Sequence, residues 1–303
     1  MPGTLSKGTL FPAQLTNEMF SLVRGKSSLA RLSASTPVPF NGKEVFTFNF
    51  DKEVDVVAEN GAKTKGGGTI TPVTIQPVKI EYGMRVSNEF QFASEEARLP
   101  YLRSFAEGFA AKTARGIDIM AFHGFNPRTG AASTVIGSNH FDSKVTQTTT
   151  FTVPTSGQAD ANGAVEAAIA LVQGADHDVT GMAMAPAFRS ALAAQTLTSG
   201  APMFPELGWG AAPSVMKGLD VDANSTVSFA NSLDRAIVGN FRDYFRWGYA
   251  RDIFIKVIEY GNPDNDTEAG DLQGHNQVYL RGEAYVGWGI LVPAAFARIV
   301  ASA

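Results

Sequence analysis

The chain contains no cysteine. Structural disulfides, thiolate metal sites and cysteine nucleophiles are therefore excluded. Charge is also scarce: Asp, Glu, Lys and Arg make up 18% of the 303 residues, against 44% hydrophobic. That leaves less solvated surface than an ordinary soluble chain carries, and suits one that buries part of itself against copies of itself. Neither sign dominates, with a formal net charge of −4, so the chain does not coat nucleic acid through bulk charge. The beginning has no charged-then-apolar leader. No apolar run is long enough to span a membrane; the nearest, Ala284 to Ala295, is short and broken by Gly287, Gly289 and Pro293. A cytosolic protein with no membrane partner is expected. Catalytic signatures are missing too. There is no G-x-S-x-G, Walker A or H-E-x-x-H, and His123, His140 and His275 have no zinc spacing. Gly66-Gly67-Gly68 and Gly208-Trp209-Gly210 lack the other positions of a dinucleotide fingerprint. No cofactor and no metal are expected.

What is present is organised by punctuation and period. Residues 1–42 do not read as a compact unit, because Gly3, Gly8, Pro12, Gly25, Pro37 and Pro39 interrupt them. One amphipathic patch, Leu15, Met19, Leu22 and Val23, has helical spacing. Lys7, Arg24, Lys26 and Arg31 face only Glu18, so the segment carries +3. An extended basic arm of this kind needs a surface to lie on, and a neighbouring copy is the natural one. Phe46, Phe48 and Phe50 then alternate with polar residues, and Val73, Ile75, Val78, Ile80 and Tyr82 form a return strand. Asn60-Gly61 and Lys63-Thr64-Lys65-Gly66-Gly67-Gly68 form the turn region. Pro72 and Pro77 suit an edge ribbon. The result, over 43–85, is a projecting hairpin that is only marginally stable alone.

A helix follows, roughly Leu99 to Phe122, with Pro100 in its first turn, Gly124 as its C-terminal cap, and Leu102, Phe105, Phe109, Ile117 and Met120 on one face. Residues 126–162 are rich in Gly, Ser, Thr and Asn with little pattern. Residues 161–247 read as a mixed α/β unit. Its helices are Ala164 to Gln173 and Ala187 to Gln195, its strands Met182 to Met184, Gly218 to Val221 and Ala236 to Val238, with a Pro/Gly-rich loop over 200–213. Near the end, Val278, Leu280, Gly282, Ala284, Val286, Trp288, Ile290 and Val292 hold the even positions of a long strand with one buried face. Ile253, Ile255 and Val257 mark its antiparallel partner, and the connecting loop from Asn262 to Asn276 is acidic.

In this order the pieces resemble the major capsid proteins of tailed bacteriophages with the Hong Kong-97-type fold, an α+β architecture. Leu10-Phe11-Pro12 and the helix after it are similar to that family's arm, and Phe46-Thr47-Phe48 to Tyr82-Gly83 to its extended loop. Ala121-Phe122-His123-Gly124 with Asn126-Pro127 and Thr129-Gly130 resembles the end of its spine helix. Tyr249-Ala250-Arg251 to Tyr260 and Val278 to Arg298 resemble its final strand pair. The resemblance implies an N-terminal arm (1–42), an extended loop (43–85), a periphery domain (86–160, spine helix about 99–123), an axial domain (161–247), and closing strands with a three-fold loop (248–303). It implies pentamers and hexamers closing into an icosahedral head shell around double-stranded DNA, assembled in the bacterial cytoplasm. Further implied partners are a portal and possible separate scaffolding and decoration proteins. Because Met1 leads straight into the arm, no fused scaffold is expected. A bacterial encapsulin shell is the alternative within the same fold; a surface adhesin and an enzyme without a legible motif are remoter ones.

The resemblance also implies one self-directed reaction. Lys63 or Lys65 at the hairpin tip, Asn276 of a neighbour and Glu283 on the next strand form the set for an isopeptide crosslink, the carboxylate accepting the amine's proton. Tip lysines are more often there for solubility. Asp264, Asp266, Glu268 and Asp271 invite a calcium reading, but Ala269 stands where an EF-hand needs Gly and His275 where it needs Glu. A basic neighbour, from Arg24, Lys26, Arg31 or the tip lysines Lys63 and Lys65, is the expected counter-charge. Asp176-His177-Asp178 reads as a polar turn after a helix.

Overall fold

The computed structural model describes residues 27–89, 95–153, 159–209 and 211–302. The elements are α1 (Ser28–Leu32), β1 (Lys43–Phe50), β2 (Gly68–Ile75), β3 (Pro77–Ser87), α2 (Glu95–His123), α3 (Phe141–Lys144), β4 (Thr148–Phe151) and α4 (Ala161–Gln173). They continue with β5 (Gly181–Met184), α5 (Pro186–Ala193), β6 (Val215–Met216), β7 (Leu219–Ala223), β8 (Asp234–Gly239), α6 (Phe241–Tyr244), β9 (Phe245–Ile258), β10 (Gln277–Ile290) and β11 (Phe296–Ala301).

Helix α2 starts at Glu95, earlier than the sequence suggests, so Pro100 lies inside it. Its 29 residues make a rod of about 43 Å. The expected apolar face is the buried one, and Ala106, Ala110, Ala114 and Ala121 extend it. It ends where Gly124 adopts φ 69° and its N–H returns to the Met120 carbonyl at 2.9 Å.

This face packs on the three-stranded sheet β3-β10-β9, antiparallel throughout. Leu280, Ala284, Val286, Trp288 and Ile290 of β10 share one core with Leu102, Phe105 and Phe109 of α2. The strand was expected to bury one face. It buries both: Tyr279 and Glu283 on the odd side are also covered. Part of the reason is that Ile75 and Val38 lie close to Gly287, at the Phe245 end of the β9–β10 pair.

Two strand assignments change. The return strand is two strands: β2 pairs with β1, whereas β3 beyond Gln76 pairs with β10. The projecting hairpin is therefore 43–75, and 77–87 belongs to the sheet under α2. The closing strand also does not run through to Arg298. It breaks after Ile290, the turn at Pro293–Ala295 reverses it, and β11 enters the other sheet.

That second sheet has the order β4-β11-β8-β5-β7-β6. Helices α4 and α5 pack on it through Ala161, Ala164, Ala168, Val172, Phe188 and Leu192, forming a separate core with Met182, Met184, Val221, Val238 and Ile299.

The segment after residue 26 is not a free arm. Leu29, Leu32 and Val38 are buried in their own subunit. Thr36 N–H donates to the Trp247 carbonyl at 2.8 Å and Val38 N–H to that of Tyr249 at 3.2 Å. Gly248 permits this approach, since a Cβ there would stand 1.7 Å from the Thr36 carbonyl oxygen. Any free arm is therefore confined to residues outside those described. No helix among the described residues is long and apolar enough to cross a membrane.

Candidate functional site

The hairpin is the first candidate surface. With Phe46 opposite Pro72 and Phe48 opposite Ile70, one face of the ribbon carries three aromatic rings beside aliphatic side chains. Phe46, Phe48, Phe50 and Ile70 are all more than half exposed, as are Val54 and Val56 beyond them. Polar alternates and turn glycines fold the ribbon locally, closed by Asp51, which accepts from the Gly67 N–H at 2.8 Å. Nothing among the described residues covers the apolar face. A contiguous exposed apolar patch of this kind marks an interaction site.

The second feature is a buried polar seam that joins the two sheet layers. Asp118 on α2 is fully buried and accepts from the backbone N–H groups of Ser28 (2.9 Å) and Leu29 (3.2 Å), from Thr226 Oγ1 (3.0 Å), and from Ser27 Oγ. It thus holds the start of α1. Burial pushes its carboxyl up to about 6, against the opposing pull of those donors. One turn on, His123 is wedged with Nε2 2.9 Å from the Thr226 carbonyl and Nδ1 2.9 Å from Asp142. Because Nε2 must donate to a carbonyl, Nδ1 faces a carboxylate either as a second donor or as an acceptor from a protonated acid. Burial lowers the His123 pKa, but the Asp142 hydrogen bond and charge outweigh it, and the net shift is upward. Asp142 moves down: burial raises its pKa, but the hydrogen bonds with His123 and Asp234 and the nearby positive charges outweigh it. Asp234 goes up instead, through burial and its closeness to Asp142.

His123, Asp142 and Asp234 form a set with metal-ligand chemistry among the described residues. The fit to an ion is poor. Arg298 of β11 already supplies the cation, with Nη2 2.9 Å from Asp234 and 3.1 Å from Asp142. The seam is thus a structural lock. Little in the sequence points to it, because its members are far apart in the chain and follow no spacing rule.

The acidic loop also finds its counter-charge at home. Arg85 of β3 reaches Asp264 with Nε at 2.9 Å and Nη2 at 2.6 Å, and donates to Asn262 Oδ1 and the Gly270 carbonyl. The Arg85 guanidinium holds the Asp264 carboxyl down at about 2. Asp266 accepts from the Glu268 and Ala269 N–H groups, and Asp271 from those of Gly261 and Gln273. The expected basic neighbour is therefore, for Asp264, a residue of the same chain. Glu268 remains exposed.

The other expected contacts divide. Arg24 and Lys26 lie outside the described residues. Arg31 is engaged within its own subunit, 2.6 Å from Asp222. Lys63 and Lys65 are exposed at the hairpin tip, and Asn276 is exposed in a left-handed turn at φ 52°. Glu283 is buried as the crosslink would need, but it pairs with Lys79 at 3.1 Å and Arg281 at 2.9 Å, not with a tip lysine. Asp176-His177-Asp178 forms a turn after α4, where His177 stacks edge-on against Tyr244.

A long helix laid along a three-stranded sheet, a second sheet carrying its own helices, and a hairpin with an uncovered apolar face define a shell-building subunit with the Hong Kong-97-type fold. The chain matches the phage capsid family over residues 7–301 and belongs to it. A solved chain from Mycobacterium phage Ogopogo is 32% identical at a TM-score of 0.77, with 91% of this chain and 92% of that one covered. One from Gordonia phage Cozz is 24% identical at 0.76, covering 91% and 87%. The capsid of an empty GTA particle shares the fold at 15% identity and a TM-score of 0.65, over 92% and 90%. No curated protein matches. The chain is a major capsid protein, a structural component of the virion shell, and these relatives favour a phage head over the encapsulin alternative.

Proposed function

We propose that copies of this chain form pentamers and hexamers that close into an icosahedral head around packaged double-stranded DNA, in the cytoplasm of the bacterial host. The uncovered Phe46, Phe48 and Phe50 face carries this reading, because an isolated two-stranded ribbon exposing three aromatic rings is stable only when another surface covers it. In this reading the hairpin lies across the adjacent copy, and the residues before Ser27, with Arg24 and Lys26, reach a neighbour as a basic arm. Residues 161–247 point to the capsomer centre, and the loop 262–276 approaches the three-fold contacts. Contact with DNA is electrostatic and sequence-independent. A portal closes one vertex, and separate scaffolding or decoration proteins complete the list of partners. The shell is held without covalent bonds, because Glu283 is engaged by Lys79 and Arg281 of its own subunit and not by a tip lysine. Denaturing electrophoresis of shells then gives one band at monomer mass; a ladder of multiples refutes it.

The test of assembly is the triple change of Phe46, Phe48 and Phe50 to Ser. The expected result is a subunit with unchanged circular dichroism that forms no rings or shells under conditions where the unaltered chain does, seen by electron microscopy. Normal shells from the triple variant overturn the hairpin's role.

A further inference from the structure

The chain has three tryptophans. Trp247 and Trp288 are buried, each 1% exposed, whereas Trp209 stands fully in solvent on the loop after α5. An indole in that position gives up a large apolar area to water, and aromatic side chains so placed are typical anchors of interfaces. The loop fixes it there. Leu207, two residues earlier, is buried and ties Pro205–Leu207 to the subunit, so the chain leaves the surface just as it reaches Trp209.

The same layer of the molecule carries an unfilled counterpart. Between α4 and the strands β5, β6 and β7 lies a cleft of about 520 Å³. Its walls include Val165, Ile169, Val179, Met182, Phe204 and Leu219, and carboxylates stand at Glu166 and Asp178. Its volume is in the range of sites that take a ring-sized group. The polar atoms also match. The indole Nε1–H can only donate, and Glu166 and Asp178 can only accept when ionised. Lys217 at the cleft sits over the Phe204 ring at 4.6 Å, while the loop that carries Trp209 brings Glu206 with it.

We propose that Trp209 of one copy fills the cleft between α4 and β5–β7 of the next copy around a capsomer, with Glu206 meeting Lys217. Anchor and cleft are different patches of one surface. Contacts between unlike patches run head to tail and close into rings when the rotation allows, which is the geometry a pentamer or hexamer requires. The hairpin and arm join neighbours through other residues, so this contact adds a separate ring interface. It rests on the ring-assembly reading above.

Fluorescence isolates the proposal, since Trp209 is the one exposed tryptophan. In the unassembled full-length subunit, acrylamide should quench one of the three tryptophans and emission should include a red component. On assembly both should disappear. Trp209→Ala is expected to raise the concentration needed for rings at least tenfold, with Trp209→Phe closer to the unaltered chain. Ile169→Lys, on the cleft side, should do the same, and adding it to Trp209→Ala should cost nothing more, because both remove one contact. Circular dichroism confirms that each variant folds. Rings in which Trp209 stays quenchable, or two variants whose effects multiply, overturn the docking while leaving ring assembly intact. Blue, unquenchable emission in the dilute subunit places the indole in its own cleft and also overturns it. An unaltered chain that never assembles removes the ring reading and this contact together.

Discussion

Replacing Asp118 with Ala removes the acceptor that holds the start of α1 against α2. Two first-turn backbone N–H groups, of Ser28 and Leu29, lose their partner, as do the hydroxyls of Ser27 and Thr226. The hydroxyls can turn elsewhere; the N–H groups cannot, and each buried donor left unpaired costs about 1–3 kcal/mol. Against that stands a gain. The buried carboxyl has its pKa pushed from 3.8 to about 6, a gap worth about 3 kcal/mol. At pH 7 the side chain is charged in both folded and unfolded chains, and the folded state bears the full cost of burying that charge. As pH falls from about 6 towards 4, the folded chain takes up a proton that the unfolded chain does not, and this cost is relieved.

The alanine variant has no such group. The destabilisation by Asp118→Ala should therefore grow as the solution is acidified, by on the order of 3 kcal/mol between pH 7 and 4. Urea unfolding of the unassembled full-length subunit, at a series of pH values, measures it. The buried Trp247 and Trp288 report the transition. Other groups titrate over the same range, but they do so in both proteins and cancel in the difference. A difference that is flat, or that shrinks on acidification, refutes the assignment of Asp118 as a buried charge held at net cost.

Gly248→Ala should be poorly tolerated. Its Cβ would sit 1.7 Å from the Thr36 carbonyl, so the 35–38 strap must lift off β9; thermal unfolding within a degree or two of the unaltered chain would contradict the packing. Arg298→Met should leave Asp142 and Asp234 without their shared cation, costing about 3–5 kcal/mol. Differential scanning calorimetry should show the loss as a lower Tm, and a Tm that rises would show that the pair was neutral without it.

The elements visible in the sequence were those whose pattern is local. The period of two from Val278 and the helical spacing of Leu102, Phe105 and Phe109 report burial through near neighbours, and both appear where expected. What the pattern could not carry was the identity of the partner. Gly68–Ile75 and Pro77–Ser87 have the same alternation, yet they pair with β1 and β10 respectively. The stretch up to Arg298 reads as a continuation of the closing strand only through the family resemblance, and Phe296–Ala301 pairs instead with β8 and β4. The buried seam was harder still. Asp118, His123, Asp142, Asp234 and Arg298 come from four elements, α2, α3, β8 and β11, and only the folded chain brings them together. Arg85 was missed because one arginine at the end of a strand carries no signal of the loop it will enter.

The arginines that could have joined copies are mostly committed at home, and this bears on what drives assembly. Arg31 is bound to Asp222, Arg85 to Asp264 and Arg298 to Asp234. The hairpin, by contrast, leaves apolar side chains uncovered: Phe46, Phe48, Phe50, Val54, Val56 and Ile70. Fully covering six such side chains is worth roughly 9–18 kcal/mol before the cost of ordering is subtracted, whereas an exposed ion pair adds about 0–1 kcal/mol. The apolar term should dominate. Assembly should then strengthen on warming from the cold, and its threshold concentration should change by no more than about threefold between 50 and 500 mM salt. Light scattering against subunit concentration measures that threshold. A tenfold rise with salt would show that charge drives the contact, and would move the weight of the interface from the hairpin to the basic residues that precede Ser27.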